Sequence, residues 1–457
     1  MRLSELSRIV DGEPTGADLD FAAVSIDTRT LKPGDLFVAI PGDRFDGHDF
    51  VAAAAAAGSC AALVERPVDV DLPQVAVTSS RLALGKLGRA WRQRCDVRIV
   101  GVTGSNGKTT AKEMVAAILA LGAPVLKTRG NLNNDLGVPL TLLNLGPEHR
   151  YAVIEMGANH PGEIAYVAEL AKPLVALITN AGDAHLEGFG SREGVARAKG
   201  EMITALPADG VAVLNADDAF IGLWRDLAGA RKVLSFGFSE GADVRGLADS
   251  VKVACTADGF ATRFEYVYKG SRRPIILALP GRHNVANALA AAAACLALGV
   301  NADQIAEGLA RVSAVPGRMQ PEFAGNGALF INDTYNANPS SFNAALDVLL
   351  QLPGEPWVVL GAFGELGDAS RGLHAELGRE SRRRGVTRLL ATGPNAEEAV
   401  AAFGPGGVHF PEQAELIRSL RETLKPNAVV LVKGSRVQRM ERVIEALCRS
   451  ARETQCC

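Results

Sequence analysis

The stretch Gly101-Val102-Thr103-Gly104-Ser105-Asn106-Gly107-Lys108-Thr109-Thr110 constrains this chain more than any other, because it joins the apolar run Arg98-Ile99-Val100 to a helical-looking segment, Ala111 to Leu121. Strand, glycine-rich turn and helix in that order make a P-loop. The glycines let backbone N–H groups close around phosphate oxygens, the helix N-terminus and Lys108 add positive charge, and Thr109 offers a hydroxyl to Mg²⁺. The general pattern G-x-x-x-x-G-K-[ST] would put its first glycine where Val102 stands, so the shorter Thr103-Gly104-x-x-Gly107-Lys108-Thr109 carries the signal. An ordinary strand-to-helix turn with a surface lysine is the alternative, and Lys-Thr directly behind two glycines argues against it. The loop implies a nucleoside triphosphate and does not say what is done with it.

The rest of the chain places this loop in the middle of a multidomain protein, since 457 residues hold about three domains. With 48 basic and 51 acidic residues and no Lys/Arg run, nothing lays down a nucleic-acid or anionic-membrane footprint. The start, Met1-Arg2-Leu3-Ser4-Glu5, is unlike an export signal, and the greasiest segment, Ala286 to Val300, is mostly alanine and falls short of the roughly 18 apolar residues of a membrane span. It reads as a buried helix. Seven scattered cysteines without metal-ligand spacing read as reduced thiols of the cytoplasm.

Alternating strand and helix patterns give an α/β protein of three units. Residues 1–82 form a small α/β unit with turn-rich stretches around Lys32-Pro33-Gly34 and Pro41 to Asp49. Residues 83–318 form a parallel sheet around the P-loop, with strands at Tyr151 to Gly157, Leu174 to Asn180 and Gly210 to Asn215, and a small antiparallel appendage between Lys232 and Leu279. Residues 319–457 supply strands at Ala328 to Asn332, Trp357 to Leu360, Arg388 to Ala391 and Ala428 to Val432, enough for a Rossmann-like doubly wound sheet of their own. Hinges are expected near residues 82 and 318.

Ligands of parallel sheets collect beyond the carboxyl ends of the strands, where Glu155, Asn180 and Asn215 fall. Mg²⁺ takes oxygen ligands, so Glu155 is a candidate to complete a site with Thr109, the alternative being a carboxylate in a strand-end loop. His185, in Asn180-Ala181-Gly182-Asp183-Ala184-His185, reads alone as a solvated or hydrogen-bonded histidine, and Lys199 reads by pattern as a helix-surface lysine. Asn338 or Ser340 is suited to cap the helix that follows Asn336-Ala337-Asn338-Pro339.

Thr103 to Thr110, Gly130-Asn131-Leu132-Asn133-Asn134-Asp135-Leu136-Gly137-Val138-Pro139, Ile178 to His185 and Asp333-Thr334-Tyr335-Asn336-Ala337-Asn338-Pro339 together resemble the Mur ligase family of cell-wall enzymes, across essentially the whole chain. The resemblance implies a UDP-sugar-binding first domain, an ATP-binding central domain and a third domain that brings in a dipeptide and contributes to the nucleotide site. It implies a reaction in which UDP-N-acetylmuramoyl-tripeptide is activated by ATP as an acyl phosphate and captured by D-alanyl-D-alanine, in a cytoplasmic, monomeric enzyme.

Carried onto this sequence, the resemblance implies that Gly104, Ser105, Asn106, Gly107, Lys108, Thr109 and Thr110 bind ATP with Asn287, Arg318 and Asp333. Thr109, Glu155, His185 and a carbamylated Lys199 would hold Mg²⁺, with Lys108, Glu155, His185 and Lys199 serving catalysis. Thr28, Arg29, Phe45, Asp46, Gly47 and His48 would form the uridine-sugar site, Asn133 and Asn134 would face the peptide, and Asn336 and Asn338 the nucleotide or the domain junction. Ala362 and Phe363 stand where relatives show Asp and Met, which puts the contacts of that loop in question. The competing expectations are a sister ligase adding the third peptide residue, a folylpolyglutamate-type ligase, or a nucleotide-gated binding protein without transfer chemistry.

Overall fold

The computed structural model describes residues 1–42, 44–182, 186–256, 259–364 and 366–448. Its strands assemble into three separate sheets along the chain. The first has five strands in the order Glu13–Thr15, Gln74–Ala76, Ala61–Val64, Leu36–Val38, Val24–Ser25, all parallel except the pairing of the first two. The helix Ser80–Gln93 leaves this sheet with Ser79 accepting a hydrogen bond from the Leu82 N–H as its N-cap. The hinge expected near residue 82 thus falls inside a helix, because Ala83, Leu84 and Leu87 face the core of the first sheet and run on past it. Leu82 points the other way and is exposed.

The central sheet has ten strands, with Arg98–Thr103 between Tyr151–Glu155 and Val175–Ile178. That central place explains the apolar run: both faces are covered, so Val100 and Val102 pack with one set of helices and Ile99 with the other. Lys232–Gly237 and Val244–Gly246, expected in the antiparallel appendage, extend the parallel sheet, pairing in register with Val211–Asn215 and with each other. Antiparallel pairing begins only at Gly259–Tyr268, which joins Val244–Gly246, Lys252–Thr256 and Ser271–Leu277. The alanine-rich helix Arg282–Ala297 is buried from Ala288 through Cys295 and packs against the P-loop helix Lys108–Leu119. Small side chains permit that close approach.

The third sheet runs Gln320–Phe323, Leu329–Asp333, Ala428–Lys433, Glu355–Gly361, Arg388–Thr392, Gly407–Phe410, parallel but for its first pair. Phe260, from the antiparallel strand of the central sheet, packs into the core of this third unit with Met319, Leu346 and Leu349. The carboxyl ends of strands from the central and third sheets thereby face one cleft. Among the described residues no helix is long and apolar enough to cross a membrane, and no disulfide joins the cysteines.

Candidate active site

The cleft has a volume of about 710 Å³ and is walled by the P-loop, the strand ends at Glu155, Thr179 to Gly182 and Asn215, the start of the alanine-rich helix, Arg318, and the third unit from Met319 to Ser341 with Lys433 and Arg436. The P-loop turn needs its glycines. Gly104 (φ 145°) and Gly107 (φ 80°) have backbone conformations that side chains resist, and a β-carbon would lie 2.0 Å from Thr179 Oγ1 or 2.2 Å from Asn287 Oδ1. Lys108 donates from Nζ to the carbonyls of Gly104 (2.7 Å) and Ser105 (3.3 Å). Burial pushes Lys108 below the ordinary lysine range, and the charge of Arg318 adds to the effect against the pull of Glu155.

Asn180 fixes the loop from below, its Oδ1 accepting from the Asn106 N–H at 2.9 Å and its Nδ2 donating to the Asn106 carbonyl at 3.0 Å. From above, the Asn106 side chain donates to Ser340 Oγ and accepts from Asn338 Nδ2, each at 2.8 Å. Arg318 reaches the same loop, donating from Nη2 to Thr109 Oγ1 at 3.1 Å with its guanidinium 4.3 Å from the Tyr335 ring centroid. Asp333 accepts from the buried Lys433 Nζ at 2.5 Å, and Lys433 also holds the Asn336 carbonyl. Asn338 doubles as N-cap of the helix Pro339–Leu349 in a capping box with Ser341.

Glu155 is buried at the end of its strand. Asn133 Nδ2 donates to its Oε1 at 2.9 Å, and Oε2 has no hydrogen-bond partner among the described residues. A buried carboxylate oxygen left in this way is a fit to a hard cation, since an unmatched oxygen is otherwise costly. Among the described residues no three His, Cys, Asp or Glu side chains converge. Lys199, on the helix Arg192–Thr204, is buried with Nζ 5.4 Å from the Phe189 ring centroid; burial and the Lys108 charge bring it down to about 7. His185 lies outside the described residues.

The cleft thus gathers Ser105, Asn106, Gly107, Lys108, Thr109, Thr110, Asn133, Asn134, Glu155, Asn287, Arg318, Asp333, Asn336 and Asn338. The first-unit residues stand apart from it. Arg29 is exposed and forked onto Asp27, whose carboxyl it holds down at about 2. His48 is buried, its Nε2 accepting from the Glu65 N–H at 2.8 Å, so Nδ1 carries the proton toward Asp46 Oδ1 at 2.6 Å. Asp46 also takes Arg66, and Gly47 lies against the backbone of Ile40, so Asp46, Gly47 and His48 brace the turn from which Phe45 projects, three-quarters exposed.

Three cleft contacts escaped the sequence reading: that of Ser340 with Asn106, that of Lys433 with Asp333, and that of His283, which is half-buried and held below the usual histidine range by desolvation. The stretch Leu431 to Arg436, polar and just beyond an apolar strand, marks Lys433 for binding in the sequence, but its pairing with Asp333, like the other two contacts, joins distant segments.

The chain matches three family descriptions: Mur ligase family, catalytic domain over residues 20–132, Mur ligase middle domain over 102–295, and Mur ligase, glutamate ligase domain over 317–436. It is 46% identical over 447 residues to the UDP-N-acetylmuramoyl-tripeptide--D-alanyl-D-alanine ligase of Escherichia coli (strain K12), covering 97% of this chain and 98% of that one. The crystal structure of MurF from Acinetobacter baumannii superposes with a TM-score of 0.90 at 39% identity over 97% of each chain. The MurF ligase of Thermotoga maritima in complex with ADP follows at 0.82 and 33%, covering 93% of this chain and 96% of that one. Matched in sequence and in shape from end to end, and built around a P-loop that a second sheet closes over, this chain belongs to the Mur ligase family.

Proposed function

We propose that this protein is an ATP-dependent amide ligase that joins D-alanyl-D-alanine to UDP-N-acetylmuramoyl-tripeptide, giving the pentapeptide precursor of peptidoglycan. The observation that carries the choice of substrates is the end-to-end identity with the Escherichia coli ligase named for them. The tripeptide carboxylate attacks the γ-phosphorus of ATP and ADP leaves; the dipeptide amine then attacks the acyl carbon of the acyl phosphate and phosphate leaves. Both partners of the first step are anions, so the protein's work is alignment and charge neutralisation. Lys108, the P-loop amides and Arg318 are grouped for that task.

Thr109 and Glu155, with His185 and Lys199, would hold Mg²⁺, which when bound supplies positive charge at the phosphates. The Glu155 oxygen without a partner supports this. Lys199, shifted to about 7, has a neutral amine available near neutral pH, which supports carbamylation to an oxygen ligand. Asn287, Arg318 and Asp333 serve the nucleotide, Asn336 and Asn338 the junction, Asn133 and Asn134 the peptide, and the turn bearing Thr28, Arg29, Phe45, Asp46, Gly47 and His48 the UDP-sugar. The units are taken as 1–82, 83–318 and 319–457. The enzyme is taken as a cytoplasmic monomer, with both walls of the cleft supplied by one chain.

The test is phosphate release from ATP, Mg²⁺ and UDP-N-acetylmuramoyl-tripeptide with and without D-alanyl-D-alanine, with the product weighed. A product heavier by the dipeptide and formed only with all substrates is expected. Release with a single amino acid and a shorter UDP-peptide, and none with the dipeptide, would move the assignment to a sister ligase.

A further inference from the structure

We infer that Lys112 and Thr128 are positioning residues for the Glu155 carboxylate, holding it so that one oxygen is committed to Asn133 and the other is kept for a cation. The inference rests on the reading of Glu155 as a Mg²⁺ ligand. Lys112 lies one helical turn beyond Lys108, on the same face of the P-loop helix, and is 1% exposed. A lysine so buried needs acceptors, and three surround its ammonium: the Thr128 carbonyl at 2.9 Å, Glu113 Oε1 at 3.1 Å and Glu155 Oε2 at 3.8 Å. The first two lie at hydrogen-bonding distance and the third does not, so the ammonium faces Oε2 without taking it up.

Thr128 completes the arrangement. It follows the strand Val125–Lys127, its N–H donates to the Val153 carbonyl, and its Oγ1 accepts from the Glu155 N–H at 3.0 Å. One threonine therefore holds the Glu155 backbone through its hydroxyl and the Lys112 ammonium through its carbonyl, tying the P-loop helix to two strands behind the carboxylate. Glu113 is in turn paired with Lys127, so Lys112 is not drawn away to neutralise it alone. With Asn133 on Oε1, the carboxylate is held from three directions. A cation in the core for stability alone is replaceable by apolar groups at little cost, whereas a positioning cation leaves a defect specific to the metal-bound nucleotide.

The experiment measures binding of ADP and a non-hydrolysable ATP analogue to the full-length protein by calorimetry, across a Mg²⁺ series and in EDTA, for wild type, Lys112→Met, Thr128→Val and Thr128→Ser. The Mg²⁺ concentration for half-maximal tightening is expected to rise at least tenfold in Lys112→Met and Thr128→Val. Affinity in EDTA should stay within twofold of wild type, and Thr128→Ser should restore the Mg²⁺ response. An unchanged Mg²⁺ response in the folded variants, or equal losses with and without Mg²⁺, would overturn the inference. Should Lys112→Met not fold, the threonine pair decides. Glu155→Gln is run beside them: an unchanged Mg²⁺ response there would sink the metal reading itself, and because no peptide substrate is present, an error in the assigned acceptor leaves the result untouched.

Discussion

Asn106 and Asn338 are separated by 232 positions in sequence and joined by a 2.8 Å hydrogen bond between their side chains. Ser340 closes a ring with them: Asn106 Nδ2 donates to Ser340 Oγ, Ser340 Oγ donates to Asn338 Oδ1, and Asn338 Nδ2 donates to Asn106 Oδ1. The P-loop is thus read directly by the helix cap of the third unit. Lid closure over a nucleotide commonly completes a site in this way. Asn106→Ala and Ser340→Ala should each lower kcat/KM for ATP by about 2- to 12-fold, the range of a net hydrogen bond. The double variant should lose less than the product of the two, because they share one ring; multiplicative losses would show that the ring does not act as a unit.

Gly107→Ala should abolish measurable ATP binding while leaving the melting temperature close to wild type. The added carbon meets Asn287 Oδ1 at 2.2 Å at φ 80°, in the loop and away from the sheet cores. Nucleotide titration by calorimetry checks it, and wild-type affinity would mean that the loop relaxes freely.

Asp333→Asn removes the carboxylate facing Lys433, whose side chain is 2% exposed. Leaving a buried charge without its partner costs about 3–5 kcal/mol. Hydrogen exchange in the strands Leu329–Asp333 and Ala428–Lys433 should accelerate accordingly, with the first sheet unaffected.

His374 gives the third unit a pH dependence. Its ring is buried, Nε2 accepts from the Phe363 N–H at 3.0 Å, and Nδ1 faces the Ser370 carbonyl at 2.7 Å, so the neutral ring satisfies both neighbours and a second proton does not. Burial holds its pKa below the ordinary 6.5. The unfolded chain therefore takes the proton first as pH falls; this contribution to stability is full above 6.5 and lost as pH drops through the depressed folded value. Protection of the Phe363 amide should weaken as pH falls below 6.5 in wild type, and much less in His374→Gln.

Carbamylation of Lys199 should appear as a bicarbonate-derived carbon signal in wild type labelled with ¹³C-bicarbonate, absent in Lys199→Ala. Full activity of Lys199→Ala at both low and high bicarbonate would remove the modification from the mechanism.

Much of this was legible in order along the chain. The P-loop declares itself because phosphate binding demands glycines, a lysine and a hydroxyl within one turn, and the covered strands and the alanine-rich helix declare themselves because burial on all sides leaves continuous apolar runs. Strands of three or four residues such as Glu13–Thr15, Gln320–Phe323 and Gly407–Phe410 carry little pattern in the sequence, since they are edge strands with exposed or half-exposed side chains. Lys232–Gly237 alternates no differently whether its neighbour is parallel or antiparallel, and only the register with Val211–Asn215 decides. The sequence by itself determined the nucleotide loop, the α/β class and the family. The tertiary structure alone decided that Ser340 meets Asn106, that Lys433 neutralises Asp333 and that Lys112 stands behind Glu155, because each is a contact between segments that local propensity and spacing treat as unrelated.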